Sequence, residues 1–180
     1  MQGMLKQNEV NDVLSKFGKY MVTQSRANLS RKDKNVKKTL YNSLAYSVVT
    51  NKRSFSFSFL MEDYGKFQDL GVKGATSSQK APNSPYRFGS GTGRKGGLTS
   101  GIRDWVNTKK IQFKDRETGR FLSFEQTANL ITRSVYHKGI TPSRFFSKPF
   151  EAGFAKLPDE LIQAYGLYLE NFLKFSINEK

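Results

Sequence analysis

The chain has 180 residues, of which 37% are hydrophobic and 13% aromatic, with 15 Phe, one Trp and no Cys. That length suits one domain, and the missing cysteine excludes a disulfide framework, a thiolate metal site and a thiol nucleophile. The net charge of +15 is uneven, at +8 over residues 1–60, +6 over 61–120 and +1 over 121–180, so any anionic partner belongs to the first two thirds.

Residues 8–29 place Val10, Val13, Leu14, Phe17 and Met21 at helical spacing, with Lys16, Lys19 and Gln24 between them, which predicts an amphipathic helix. The charged stretch 30–38 begins a solvated turn. Near Leu40 the period changes to two. Leu44, Tyr46 and Val48 alternate with Ala45, Ser47 and Val49, and after residues 50–53 comes FSFSF, with Phe55, Phe57 and Phe59 separated by serines. That alternation predicts a β-hairpin with one apolar face, which a helix must cover. Residues 63–71 (DYGKFQDLG) read as one or two helical turns ended by a left-handed Gly71.

Residues 72–97 are rich in Gly, Ser, Thr, Pro, Asn and Lys and read as a long flexible loop or arm. Leu98, Ile102, Trp105 and Val106 predict a short amphipathic helix. Residues 113–121 (FKDRETGRF) predict a small hairpin turning at Thr118 and Gly119. Ser123 and Gln126 form a capping box for a helix carrying Phe124, Ala128, Ile131 and Val135 and stopped by Gly139 and Pro142. Phe150 and Phe154 mark a further helical piece. Pro158, Asp159 and Glu160 start a last helix, lined by Leu161, Tyr165, Leu169, Phe172 and Leu173.

Gly91-Thr92-Gly93-Arg94-Lys95-Gly96 fits GxGxxG by spacing, but proline-broken APNSPYRF precedes it where a dinucleotide loop needs a strand. The Walker pattern fails as well, because Gly96 stands where Ser or Thr binds magnesium. The segment reads as a basic tether. His137, the single histidine, sits near a helix C-terminus, cannot build a usual zinc site alone, and is accompanied by no GxSxG turn. Asp63, Asp69, Asp104, Asp115 and Glu117 are the acids available to a metal-dependent nuclease, without diagnostic spacing. Asp115 and Glu117 sit beside Arg116 and Arg120, which points to local ion pairing. No catalytic, cofactor or metal residue is assigned, and no cofactor is expected.

The densest cationic cluster is Arg26, Arg31, Lys32, Lys34, Lys37 and Lys38, joined by Arg94 and Lys95 in the glycine-rich segment. It suits either non-specific phosphate contact or a solvated connection, and no aromatic lies among Arg26 to Lys38 to stack on a base. There is no apolar run of signal-peptide length and no segment near the ~20 apolar residues a membrane span needs, so the chain reads as soluble and unprocessed.

The order of these features resembles the neck and tail-completion proteins of tailed bacteriophages, the head-tail connector components. In that family a long helix leads to G-x-L-x-x-S-[IL]. Here Lys38-Thr39-Leu40-Tyr41-Asn42-Ser43-Leu44 matches except that Lys38 replaces the glycine. The family motif Y-A-x-Y-V-E-x-G-T is similar to residues 64–72, where Tyr64 and Gly71 match outright and Phe67 and Asp69 match in kind. Its R-P-F resembles Lys148-Pro149-Phe150. Against the shortest members residues 73–147 look like an insertion.

The resemblance implies an α+β subunit over 1–180. A long N-terminal helix and C-terminal helices pack on a small curved antiparallel sheet, with a 72–97 arm and an inserted helical region at 98–139. It implies Leu40, Ser43, Tyr64, Phe67, Asp69, Gly71, Pro149 and Phe150 as structural motif residues. It also implies a homo-oligomeric ring without catalysis, contacting portal, adaptor or tail-tube neighbours and the phosphates of packaged DNA. Such a chain resides in the virion neck, and in host cytoplasm during assembly. The alternatives are a non-specific nucleic-acid-binding accessory protein and a small metal-dependent nuclease.

Overall fold

The structure is a computed structural model that describes residues 7–31, 38–50, 55–91, 96–157 and 161. Lys32, Lys34, Lys37, Arg94 and Lys95, the hairpin turn at 51–53, and most of the last helix expected from Pro158 lie outside the described residues. The class is α+β. The chain divides into two compact units: Met1–Gly65 with Arg144–Lys180, and Lys66–Ser143. The second unit nearly coincides with the segment read as an insertion.

The first unit is built on helix α1, Gln7–Arg31. Val10, Leu14, Phe17, Met21 and Leu29 recur every three, four or eight residues and are all buried, giving α1 one apolar stripe. A short helix α2, Thr39–Ser43, precedes strands β1, Ala45–Thr50, and β2, Phe55–Leu60. These pair antiparallel with Tyr46 opposite Phe59 and Val48 opposite Phe57, so the aromatic row of β2 and the larger residues of β1 share a face. The reverse face carries the exposed Ala45, Ser47, Val49 and Leu60.

Both α1 and helix α6, Ser147–Phe154, contribute to the core that buries this row. The centre is an aromatic cluster. Phe59 meets Phe57 at 4.7 Å and Phe146 at 5.0 Å between ring centroids, both edge-on, and Phe17 lies 5.6 Å from Phe57 and from Phe150. Edge-on pairs set the positive rim of one ring against the negative face of the next, adding about 0.5–1.5 kcal/mol each beyond burial. Gly18 makes the approach of α1 to β1 possible, because a Cβ there would overlap the Tyr46 ring. Gly153 does the same for α6, where a Cβ would come within 2.8 Å of the Phe17 ring. Pro149 sits in the first turn of α6, where a backbone N–H has no helical acceptor.

Helix α3 (Gly65–Leu70), all but its first residue in the second unit, leads through Gly71 at φ +72° into β3, Val72–Lys73. A Cβ at Gly71 would lie 2.5 Å from the Ile140 carbonyl oxygen, so glycine is required there for space as well as for conformation. β3 pairs antiparallel with β4, Gly139–Ile140, which follows α5, Phe124–Lys138. Helix α4, Gly97–Lys109, packs on α5 around Val106, Thr127 and Ala128.

The capping box is formed as expected, with the Ser123 side chain accepting from Gln126 N and the Gln126 side chain accepting from Ser123 N. The first part of the span read as a flexible arm has a fixed course. Lys73 N donates to the Tyr86 carbonyl, Phe88 N donates to the Lys73 carbonyl, and Ala81 and Ser84 are buried. The Ser84 hydroxyl donates to the Gly71 carbonyl at 2.7 Å. Proline and serine there make a compact backbone-bonded loop, since each buried polar group finds a partner. Among the described residues no helix is long and apolar enough to cross a membrane.

Candidate functional site

Three of the motif residues of the first unit, Leu40, Ser43 and Tyr64, meet at one corner. The C-terminal end of α2 leaves carbonyls without helical donors. Arg26, from α1, fills this deficit: its Nε donates to the Tyr41 carbonyl and its Nη2 to the Leu44 carbonyl, both at 3.0 Å. Ser43 donates through Oγ to the Leu40 carbonyl at 3.0 Å and accepts from Glu62 N at 3.1 Å, joining α2 to the chain leaving β2. Leu40 is buried in the core below. Tyr64 packs here with its hydroxyl hydrogen-bonded to the Leu40 backbone. Its phenol is pushed above the usual value of 10.0, chiefly by burial, against the lowering effect of that bond.

The remaining motif residues do other work. Phe67 meets Tyr86 edge-on at 4.7 Å, Asp69 is buried in α3, and Gly71 shapes the exit into β3. Pro149 and Phe150 are buried in α6.

Lys38 lies at the N-terminal edge of α2 with φ +53°. That left-handed conformation is disfavoured for a side chain with a Cβ and natural for glycine. It falls at the position where the family motif carries glycine.

Of the cations expected to face DNA, Arg31 and Lys38 are exposed. Arg26 is half-buried, and its guanidinium donates to two carbonyls and lies 5.1 Å from the centroid of the Tyr41 ring. A sequence shows its charge and not the orphan carbonyls that claim it.

The charge is instead concentrated in the second unit, where fourteen Lys/Arg stand against five Asp/Glu, a net +9. One part of it pairs cations with aromatic rings. The connection from α4 to α5 runs KKIQFKDRETGRF over residues 109–121. Lys114 and Phe121 form an antiparallel bridge, closed by a turn in which Gly119 takes φ +68°. The turn matches the expected hairpin, reduced to a single bridge.

The ion pairing expected of Asp115 is replaced by turn chemistry. Its Oδ1 accepts from Glu117 N, Thr118 N and the Thr118 hydroxyl. The Thr118 bonds hold its carboxyl below the ordinary value of 3.8, with the Glu117 bond adding to them. Phe113 N donates to Thr127 Oγ1, and Gln112 Nε2 donates to the Leu122 carbonyl, fixing the connection on α5. Lys114 Nζ lies 5.0 Å over the Phe121 ring. The alternation of cations and phenylalanines was the sequence signal for this surface, masked by the equal plausibility of local ion pairs.

Among the described residues no group of three or more His, Cys, Asp or Glu side chains is placed to hold a metal ion. Asp63 and Asp104 are exposed, Asp69 is buried, and Asp115 and Glu117 share the turn. His137 is half-buried at the end of α5, and its carbonyl accepts from the Thr76 hydroxyl at 3.1 Å. Compared with protein-family models, curated proteins and solved structures, the chain matches none.

Proposed function

We propose that the chain is a structural virion protein, a ring-forming subunit of a tailed-bacteriophage neck or tail-completion assembly that joins head to tail around the DNA channel. The observation that carries this reading is the backbone of Lys38. Its left-handed φ of +53° is one that glycine adopts without a Cβ penalty, and it falls at the position where the motif carries glycine. The neighbouring motif positions support it in kind, because Ser43 and Tyr64 each hydrogen-bond to the Leu40 backbone. In this reading the subunit works through shape, apolar contact and positive charge, and makes no covalent change. Its neighbours are copies of itself, portal, adaptor or tail-tube proteins, and DNA phosphates.

Mass spectrometry of purified particles of the phage encoding the chain, with native mass spectrometry of the isolated protein, tests the proposal. Several copies per particle are expected. A monomer absent from particles removes it.

A second reading, a non-specific nucleic-acid-binding accessory protein, is favoured by the net +9 of the second unit. It differs in predicting DNA binding by a free chain that particles lack. Magnesium-dependent DNA cleavage lost on D63N or D115N would favour the nuclease.

A further inference from the structure

We propose that the turn joining α4 to α5 is a stacking site for single-stranded nucleic acid, with Phe121 as the platform and Lys110, Lys114, Arg116 and Arg120 as phosphate contacts. The inference does not rest on the neck assignment and stands whether or not the chain forms a ring.

Phe121 is 64% exposed, the most exposed large hydrophobic side chain among the described residues, whereas the phenylalanines of the first unit's core are exposed by 7% or less. Keeping a large ring in water forgoes the stabilisation that burial gives. The turn holds it there firmly. The Lys114–Phe121 bridge, the three bonds to Asp115 Oδ1 and the Gln112 bond to the Leu122 carbonyl fix the backbone on both sides of it. A ring on a rigid turn loses little conformational freedom when a flat partner covers it.

The surroundings select that partner. Lys110, Lys114, Arg116 and Arg120 are all exposed within eleven residues, and of the two acids nearby Asp115 is engaged by the turn. Charge complementarity therefore calls for a polyanion. A duplex presents phosphates but keeps its bases stacked on one another, leaving the ring without a counterpart. A single strand offers both phosphates and free base faces, and stacking on an aromatic side chain is tolerant of sequence. An anionic membrane also offers negative charge, but interfacial binding scales with buried apolar area, and only Phe113 and Phe121 are exposed large apolar side chains on this turn.

The test uses the full chain and fluorescein-labelled dT20, a 20-base-pair duplex, and vesicles containing phosphatidylserine. F121A should weaken dT20 binding by at least about fivefold at fixed salt, with F121W restoring it and duplex affinity unchanged. R116Q and R120Q should weaken both ligands and each lower the salt slope for dT20 by about 0.7. Fluorescence of the indole introduced by F121W, read over the Trp105 background, should be quenched by dT20 and not by duplex, which keeps the test informative if F121A folds poorly. Equal binding of dT20 by wild type and F121A, equal losses on both nucleic acids, or an unquenched indole would overturn the proposal. So would Phe121-dependent binding to vesicles without binding to dT20. A monomeric chain, absent from particles, that binds dT20 through Phe121 leaves this inference standing and removes the ring.

Discussion

The Arg26 guanidinium lies 5.1 Å over the Tyr41 ring centroid while its Nε donates to the Tyr41 carbonyl at 3.0 Å. One planar group therefore stacks on a residue and closes its backbone, and Nη2 reaches the Leu44 carbonyl as well. Lysine keeps the charge but has neither the fork nor the plane. R26K is expected to lower unfolding stability by about 1–2 kcal/mol in urea titrations, with dT20 affinity unchanged. A loss of DNA binding without a loss of stability would place Arg26 in the channel-facing set.

Lys38 offers a test of backbone conformation alone. Holding a residue with a Cβ in the left-handed region costs about 1–2 kcal/mol, part of which glycine gives back through its more flexible unfolded state. K38G should therefore raise stability by about 0.5–1 kcal/mol, although it removes a charge. Urea denaturation of K38G beside K38A separates the two effects, since K38A loses the charge and keeps the strain.

Two glycines in helices should respond with opposite signs. At Gly18 an added Cβ overlaps the Tyr46 ring, so G18A should destabilise by about 1–3 kcal/mol through overpacking, despite alanine's better helix propensity. At Gly101, within α4, an added Cβ meets nothing within 4 Å, so G101A should stabilise by about 0.5–1 kcal/mol. Thermal melts of both variants give the comparison.

The pH behaviour of the 115–119 turn follows from Asp115. The folded carboxyl is held below its ordinary 3.8, because the Thr118 bonds favour the charged form. A lowered value places its stabilising effect above the ordinary range, to be lost as pH falls through the folded value. An NMR titration should find the Asp115 carboxyl titrating below 3.8, with Glu117 and Thr118 amide exchange accelerating as it protonates. D115A should show the fast exchange at neutral pH.

Local signals carried most of the elements. The stripe from Val10 to Met21, the Phe-Ser alternation of β2, the Ser123–Gln126 box and the left-handed Gly71 are all written in short windows, and each folds as its window dictates. What was hidden depends on contacts between distant residues. The fixed course of residues 72–88 comes from bonds to β3 and from Ser84 reaching Gly71, which composition rich in Pro, Gly and Ser does not disclose. The second unit is closed by the pairing of Val72 with Ile140, sixty-eight positions apart. The candidate surfaces divided in the same way. Arg26 looked available because its acceptors lie on another element, and Phe121 looked like an ordinary hairpin residue because nothing in sequence reveals that its ring stays in water.

The pairing of β3 with β4 has a mechanical corollary. Ser143 reinforces it, donating to the Gln68 carbonyl from both its backbone N, at 3.0 Å, and its hydroxyl, at 2.7 Å. The first and last few residues of unit 66–143 are thus clasped to each other. Tension drawn along the polypeptide through those ends is borne across the clasp, and α4 and α5 feel none of it until those bonds part.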